Sequence, residues 1–125
     1  MQFQSQDAIY LQIADYIMEN ILRQRWQPGD RVPSIRELAV DVEVNPNTVT
    51  RTYAWLQEKG LIINRRGLGY FVAPDGFAGS RRLKMAEFVE QDIPALSKTM
   101  DLMGLEVKDL EAQLIQYREK QGALR

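Results

Sequence analysis

The fold of this chain is decided by residues 33–72, which read PSIRELAVDVEVNPNTVTRTYAWLQEKGLIINRRGLGYFV. This stretch predicts a short helix, a tight turn, a second helix with a polar outer face, and a β-hairpin with a cationic glycine tip. That order is the layout of a winged helix-turn-helix module. We therefore expect an α+β fold, mostly α, with this module at residues 1–76 and a short two-helix dimerisation tail at residues 77–125.

Both helices of the motif have their ends marked in the sequence. Ser34 and Glu37 have the spacing of a capping box, in which each side chain bonds the backbone N–H of the other residue. Asn45 suits the N-cap of the next helix, Pro46 its first position, and Gly60 the residue that ends it. The two helices are thus predicted to have defined starts.

Periodicity divides the second of these helices into a buried and an exposed side. Val49, Tyr53 and Leu56 fall within about 60° of one another at about 100° per residue, so they form a core stripe. Asn47 and Arg51 lie on the opposite side. Because an amide can pair with adenine and a guanidinium with guanine in the major groove, this face could read bases in DNA.

Outside the motif, the pattern is helical on both sides. Isoleucine recurs at every fourth position from Ile9 to Ile21, which predicts a helix from about Ala8 to Arg25 that is closed by a turn at residues 27–30. From about Gly79 another apolar stripe begins, and it predicts a helix that ends at Gly104.

Pro94 interrupts the tail pattern and predicts a kink or break near Gln91–Asp92, because proline cannot donate the helical hydrogen bond. A further helix is predicted to reach about Gln121. Two such helices only half bury their apolar faces, so they need each other, the first module or a second copy of the chain. We favour a dimer core over a hydrophobic ligand pocket. The predicted dimerisation residues are Met85, Phe88, Val89, Leu96, Met100, Leu110 and Leu114.

Composition narrows the function classes. The chain has 125 residues and contains neither cysteine nor histidine. It therefore lacks an imidazole base, a thiol nucleophile and the usual zinc ligands, and we expect neither an enzyme, a metal site nor a cofactor. No run of about 18 apolar residues predicts a membrane span. Its start lacks the features of a signal peptide, so we expect a cytoplasmic protein.

The charge is distributed unevenly along the chain. The formal net charge is −1, yet the segment from Arg31 to Val72 carries six cations against four anions, while residues 1–30 carry two cations against four anions. Fields from distant charges fade over about 8–10 Å at physiological salt, so a locally positive face can still bind phosphate. We expect modest nonspecific affinity for DNA, with base readout needed for tight binding.

Four separated motifs follow one another along the chain, namely Tyr10–Ala14, Pro28–Ala39, Asn45–Val49 and Arg65–Gly69. Together they resemble the GntR family of bacterial transcription regulators, and the short tail resembles the YtrA subfamily, whose C-terminal part is chiefly a dimerisation unit. The resemblance covers roughly residues 8–74. It implies a homodimer, often a repressor, that binds a double-stranded DNA operator with two related half-sites.

The resemblance also implies which residues contact DNA. They belong to the first helix of the motif, the start of the second helix, and a wing tip that reaches the minor groove. These residues are Arg36, Asn45, Asn47, Thr48, Thr50, Arg51, Arg65, Arg66 and Gly67. The residues themselves leave alternatives open, namely an ion pair with a carboxylate for Arg36 or Arg51 and a purely capping role for Asn45.

The alternative function is a winged-helix protein-interaction module without specific DNA binding. In that case, substituting Arg51 and Arg66 would leave partner binding intact. An unidentified small-molecule effector is a further potential partner, although no residue identifies it.

Overall fold

The computed structural model describes residues 9–123. The chain divides into two compact units between Lys84 and Met85, and each unit is described by itself. In chain order the elements are α1 (Ile9–Leu22), α2 (Ile35–Val42), α3 (Pro46–Glu58), β1 (Ile62–Arg65), β2 (Gly69–Val72), α4 (Gly76–Glu87), a π-helical turn (Phe88–Asp92), α5 (Ile93–Met103) and α6 (Val107–Ala123). The predicted α+β fold, a winged helix-turn-helix module followed by helices, is confirmed.

The core of the first unit lies where α1 and α2 pack on α3. The stripe predicted on α3 is buried, with Val49, Tyr53 and Leu56 fully removed from solvent. Their partners come from the isoleucine stripe of α1, the apolar side of α2, the two strands, and the segments just before α2 and β1. These partners are Ile13, Ala14, Ile17, Met18, Ile21, Val32, Leu38, Ala39, Val42, Leu61, Ile62 and Val72.

The helix α1 ends at Leu22, before the predicted end at Arg25, while the predicted start at Ala8 lies outside the described residues. The early end has a local cause. The backbone carbonyl of Asn20 accepts the N–H groups of both Arg25 (3.0 Å) and Trp26 (3.4 Å), and Gln24 has a positive φ of 62°. The chain therefore reverses in a tight turn that the apolar pattern does not reveal.

The predicted helix caps of the motif are confirmed. The Ser34 Oγ atom accepts the Glu37 N–H at 3.1 Å, and the Glu37 carboxylate accepts the Ser34 N–H at 3.0 Å. At α3, the Asn45 side chain accepts the Asn47 N–H at 2.8 Å. Gly60 follows the helix with a positive φ of 76°, a conformation that favours glycine.

The wing is a two-stranded antiparallel hairpin in which Ile62 faces Val72 and Arg65 faces Gly69. Its turn is Arg66–Gly67–Leu68, since Arg65 is the last residue of β1 and Gly69 the first residue of β2. The Leu68 N–H bonds the Arg65 carbonyl at 2.8 Å across this turn.

The helix α4 begins at Gly76, earlier than the change of pattern predicted near Gly79. Both glycines are buried, and they let the helix approach the strands closely. A Cβ atom at Gly76 would lie 2.7 Å from a Val72 methyl carbon and 2.9 Å from the Leu61 carbonyl oxygen. The sequence pattern does not predict this close helix contact.

The second unit contains the end of α4, the π-helical turn, α5 and α6. The predicted distortion before Pro94 takes the form of the π turn, in which the Ile93 N–H bonds the Phe88 carbonyl instead of the carbonyl four residues back. α5 ends at Met103 and is capped by Gly104, whose φ is 65°. The boundary predicted between residues 76 and 77 stays a prediction. Within residues 9–123, no helix has the length and apolar character needed to cross a bilayer.

Candidate nucleic-acid interface

Arg36 occupies the second position of α2, on its exposed side. Among the described residues it makes no ion pair, so the alternative of a salt bridge along its own helix is not realised there. The capping box holds the backbone just before it. Arg36 therefore presents, at the start of α2, a guanidinium without an ion pair to any residue that the structure describes.

The start of α3 carries the predicted amides and hydroxyls. Asn47 is exposed, while Asn45 is exposed but uses its side-chain oxygen as the helix cap. The Thr50 hydroxyl donates to the Pro46 carbonyl at 3.0 Å, and Thr48 is half-buried. Of these four side chains, Asn47 is the one whose amide is exposed and free of a capping role.

Among the described residues, Arg51 contacts an aromatic ring and forms no ion pair with a carboxylate. Its guanidinium carbon lies 3.9 Å from the centre of the Tyr10 ring, within cation–π distance. The next residue, Thr52, is buried and donates its hydroxyl to the Tyr10 carbonyl at 2.8 Å. α1 thus fixes the position of a charged side chain on α3 without neutralising it.

The wing presents its cations on an exposed turn. Arg65 and Arg66 are exposed, and the Arg65 guanidinium lies 5.2 Å from the centre of the Phe71 ring. Gly67 adopts a φ of 80° at the apex. Beside it, Leu68 is 65% exposed, an apolar side chain at the tip that the charge pattern did not single out.

Tyr53 connects the elements that carry these side chains. Its hydroxyl donates to the Pro33 carbonyl at 2.6 Å, just before α2, and its ring meets the Tyr70 ring of the wing edge-on at 4.8 Å. Burial raises the pKa of the Tyr53 phenol well above its ordinary value, so the group stays neutral and keeps donating. α2, α3 and the wing are therefore tied together by one side chain.

The residues predicted for dimerisation lie in the second unit, where no residue of the π turn or of α5 is buried. Phe88 and Val89 are 46% and 55% exposed, while Leu96, Met100 and Leu110 are half-buried. The half-buried residues line an apolar groove of about 570 Å³ between α5 and α6. This unit by itself leaves its apolar residues largely in contact with solvent.

Sequence reasoning found the exposed cations but missed their supports. Nothing local indicates that Tyr10 would lie under Arg51, because the two residues belong to different helices. The position of Arg31 was also missed. Its backbone forms an isolated β-bridge with Phe71 beside the two-stranded wing, a nonlocal pairing with no signature in the sequence.

With this geometry in hand, comparison with known proteins places the chain among regulators. Residues 9–72 match the sequence profile described as "Bacterial regulatory proteins, gntR family". The chain is 50% identical over 72 residues to the HTH-type transcriptional regulator YhcF of Bacillus subtilis, a match that covers 58% of this chain and 60% of that protein. It is 37% identical over 87 residues to the HTH-type transcriptional repressor YtrA of the same organism, covering 70% of this chain and 67% of YtrA.

Solved structures share the fold, and one of them covers a longer part of the chain. A GntR family transcriptional regulator from Listeria monocytogenes superposes with a TM-score of 0.75 and 31% identity, covering 91% of this chain and 98% of that one. The AraR DNA-binding domain in complex with operator ORR3 superposes with a TM-score of 0.52 and 26% identity over 58% of this chain and 86% of that one.

Proposed function

Because this chain belongs to the GntR family of bacterial regulatory proteins and carries its DNA-binding helix-turn-helix domain, we propose that it is a repressor that binds, as a homodimer, an operator with two related half-sites. All four motifs found in the sequence lie within the matched region. The similarity to YtrA, a protein named as a repressor, supports repression over activation.

The observation that carries the proposal is the composition of the exposed face of α3. Asn47 and Arg51 project from its first two turns, while Val49 and Tyr53 anchor its opposite side in the core. In a helix-turn-helix protein the second helix enters the major groove and its N-terminal residues contact base edges. An amide and a guanidinium at these positions suit adenine and guanine.

The remaining cations are assigned two other roles, namely to position the protein on the DNA backbone and to recognise a narrow minor groove. Arg36, on α2, suits a phosphate at the edge of the major groove, since the first helix of the motif crosses the DNA backbone. Arg65 and Arg66 project from the wing, where a narrow minor groove would attract them by its negative potential. Asn45 serves as the helix cap and leaves its side-chain NH₂ group for a phosphate.

The homodimer is proposed from the apolar residues of the second unit. A solvent-exposed set that includes Phe88, Val89 and Leu114 is best covered by a second copy of the same face. A dimer with two-fold symmetry would place two α3 helices in successive major grooves, about 34–36 Å apart. Occupying both half-sites would block access of polymerase to the promoter.

The test is a mobility-shift titration of the purified protein on the DNA upstream of its own gene, at two salt concentrations. Wild-type protein is expected to give a saturable, sequence-selective shift that Arg51→Ala abolishes and Arg66→Ala weakens. Arg23→Ala is the matched control, because Arg23 is exposed and paired with Glu19 at the far end of α1. If wild-type protein shows no selective shift at either salt concentration, the proposal fails and a protein-interaction module becomes the better account.

A further inference from the structure

The segment before α2 forms the outer edge of the wing. The Val32 N–H bonds the Tyr70 carbonyl at 2.9 Å, and the Val72 N–H bonds the Asp30 carbonyl at 2.9 Å. Arg31 lies between these two bonds, opposite Phe71. Its backbone is therefore fixed on one side of β2, between the wing and the start of α2.

The Arg31 side chain lies across the face of the wing at Gly69. A Cβ atom at Gly69 would lie 3.0 Å from Arg31 Nε, and Gly69 has a positive φ of 120°. The guanidinium extends toward Glu37, with 3.7 Å between Arg31 Nη1 and Glu37 Oε1. Its side chain is 52% exposed. The cation is thus located between two elements to which DNA contacts are assigned.

The pair with Glu37 leaves the guanidinium available. Glu37 Oε1 already accepts the Ser34 N–H at 3.0 Å, and these Ser34 hydrogen bonds, more than Arg31, hold the pKa of the Glu37 carboxyl below its ordinary value. A separation of 3.7 Å between exposed groups is an ion pair of little energy. A guanidinium has five N–H donors, and a phosphate offers it a stronger bidentate partner.

We propose that Arg31 is a further DNA contact, which binds a backbone phosphate between the groove entered by α3 and the groove reached by the wing. The inference rests on the proposed function. In this account, Arg31 exchanges its weak ion pair with Glu37 for a phosphate when the protein binds DNA. Because a phosphate contact carries no sequence information, Arg31 adds affinity and fixes register without choosing bases.

The opposing account gives Arg31 a structural role, in which its stem and its pair with Glu37 hold the wing against α2. The two accounts differ in salt dependence. Losing a phosphate contact lowers the slope of log affinity against log salt by about 0.9 per contact, or by about 1.8 for a dimer with two copies. If Arg31 only holds the wing in place, it neutralises no phosphate, so its loss leaves the slope unchanged. The displaced wing changes sequence selectivity instead.

The experiment measures affinity for the promoter fragment and for a scrambled duplex across a salt series, with wild-type, Arg31→Gln, Arg31→Lys and control Arg23→Ala proteins. Arg31→Gln is expected to weaken binding about tenfold on both duplexes, with the selectivity ratio kept and the slope reduced. Arg31→Lys should keep the slope, since the charge remains.

Two results would overturn the inference while leaving the proposed function intact. One is an Arg31→Gln protein with wild-type affinity and slope. The other is an Arg31→Gln protein with the wild-type slope but a lower selectivity ratio or melting temperature, which assigns Arg31 a structural role. Wild-type protein that binds neither duplex would overturn both the inference and the proposed function.

Discussion

The guanidinium of Arg51 lies over the ring of Tyr10, 3.9 Å from its centre, and this stacking links the first turn of α1 to the exposed face of α3. A ring orients a guanidinium in a plane and leaves its edge N–H groups for other partners. In the alternative that the sequence left open for Arg51, an ion pair, those N–H groups would donate to a carboxylate. The stacking therefore leaves these edge N–H groups of Arg51 available for the base contact that we propose.

We predict that Tyr10→Ala weakens operator binding by a few-fold, because an exposed cation–π contact contributes about 0.5–1 kcal/mol. Tyr10→Phe keeps a ring beneath Arg51 and should bind as the wild type does. Fluorescence anisotropy with a labelled operator measures the difference. An equal loss in both variants would show that the hydroxyl of Tyr10, and not the stacking, is responsible.

Tyr53→Phe should change how stability depends on pH. At pH 7 the variant loses the hydrogen bond to the Pro33 carbonyl, which costs about 1 kcal/mol. Burial raises the folded-state pKa of this phenol above the ordinary value of 10.0. The stabilisation that the neutral Tyr53 phenol gives is thus fully present below about pH 10. Above that pH the stabilisation falls, because Tyr53 ionises in the unfolded chain before it ionises in the folded protein.

Urea unfolding of the wild type and Tyr53→Phe at pH 8 and pH 11 checks this prediction. The wild type should lose more stability than the variant between the two values, so the gap between the two proteins narrows. A gap that stays constant with pH would contradict a buried, neutral Tyr53.

We predict that Gly76→Ala destabilises the first unit by about 1–3 kcal/mol, the range for overpacking a filled site. The added Cβ would lie 2.7 Å from a Val72 carbon and 2.9 Å from the Leu61 carbonyl oxygen, a backbone atom that cannot rotate away. Gly122→Ala is the matched control, because a Cβ there meets nothing within 4 Å. Thermal unfolding of both variants tests the contrast, and equal melting temperatures would argue against the tight packing of α4.

Leu114→Glu is expected to weaken self-association without unfolding the helix-turn-helix unit. Leu114 is 44% exposed in α6, and a charge there would have to be buried if a second copy covers this face. Sedimentation equilibrium should show a dimer for the wild type and a shift toward monomer for the variant, with circular dichroism unchanged. A wild-type protein that sediments as a monomer would refute the dimer proposal.

The sequence was sufficient for the features that depend on local chemistry. Ser34, Glu37 and Asn45 cap their helices as predicted, because a cap depends on residues two or three positions apart. The core stripe of α3 follows from helical periodicity alone. The distortion before Pro94 was also predictable, since it follows from a missing N–H group, although its form as a π turn was not.

The missed features are nonlocal. The stacking of Arg51 on Tyr10 joins residues 41 positions apart, and the pairing of Arg31 with Phe71 joins residues 40 positions apart. The role of Gly76 was not predicted, because it depends on the backbone and side chains that face it, at Leu61 and Val72. A helix that starts at such a glycine can be predicted only when the position of the neighbouring backbone is known.

The central claim is that the face of α3 reads sequence, and the most direct test is the ratio of affinities for the operator and for a scrambled duplex of equal length at one salt concentration. Specific binding typically exceeds nonspecific binding by at least about 10³-fold. We predict such a ratio for the wild type, and a fall of about ten- to a hundredfold for Arg51→Ala but not for Arg66→Ala. A wild-type ratio near one, or an unchanged ratio in Arg51→Ala, would contradict base readout by this helix.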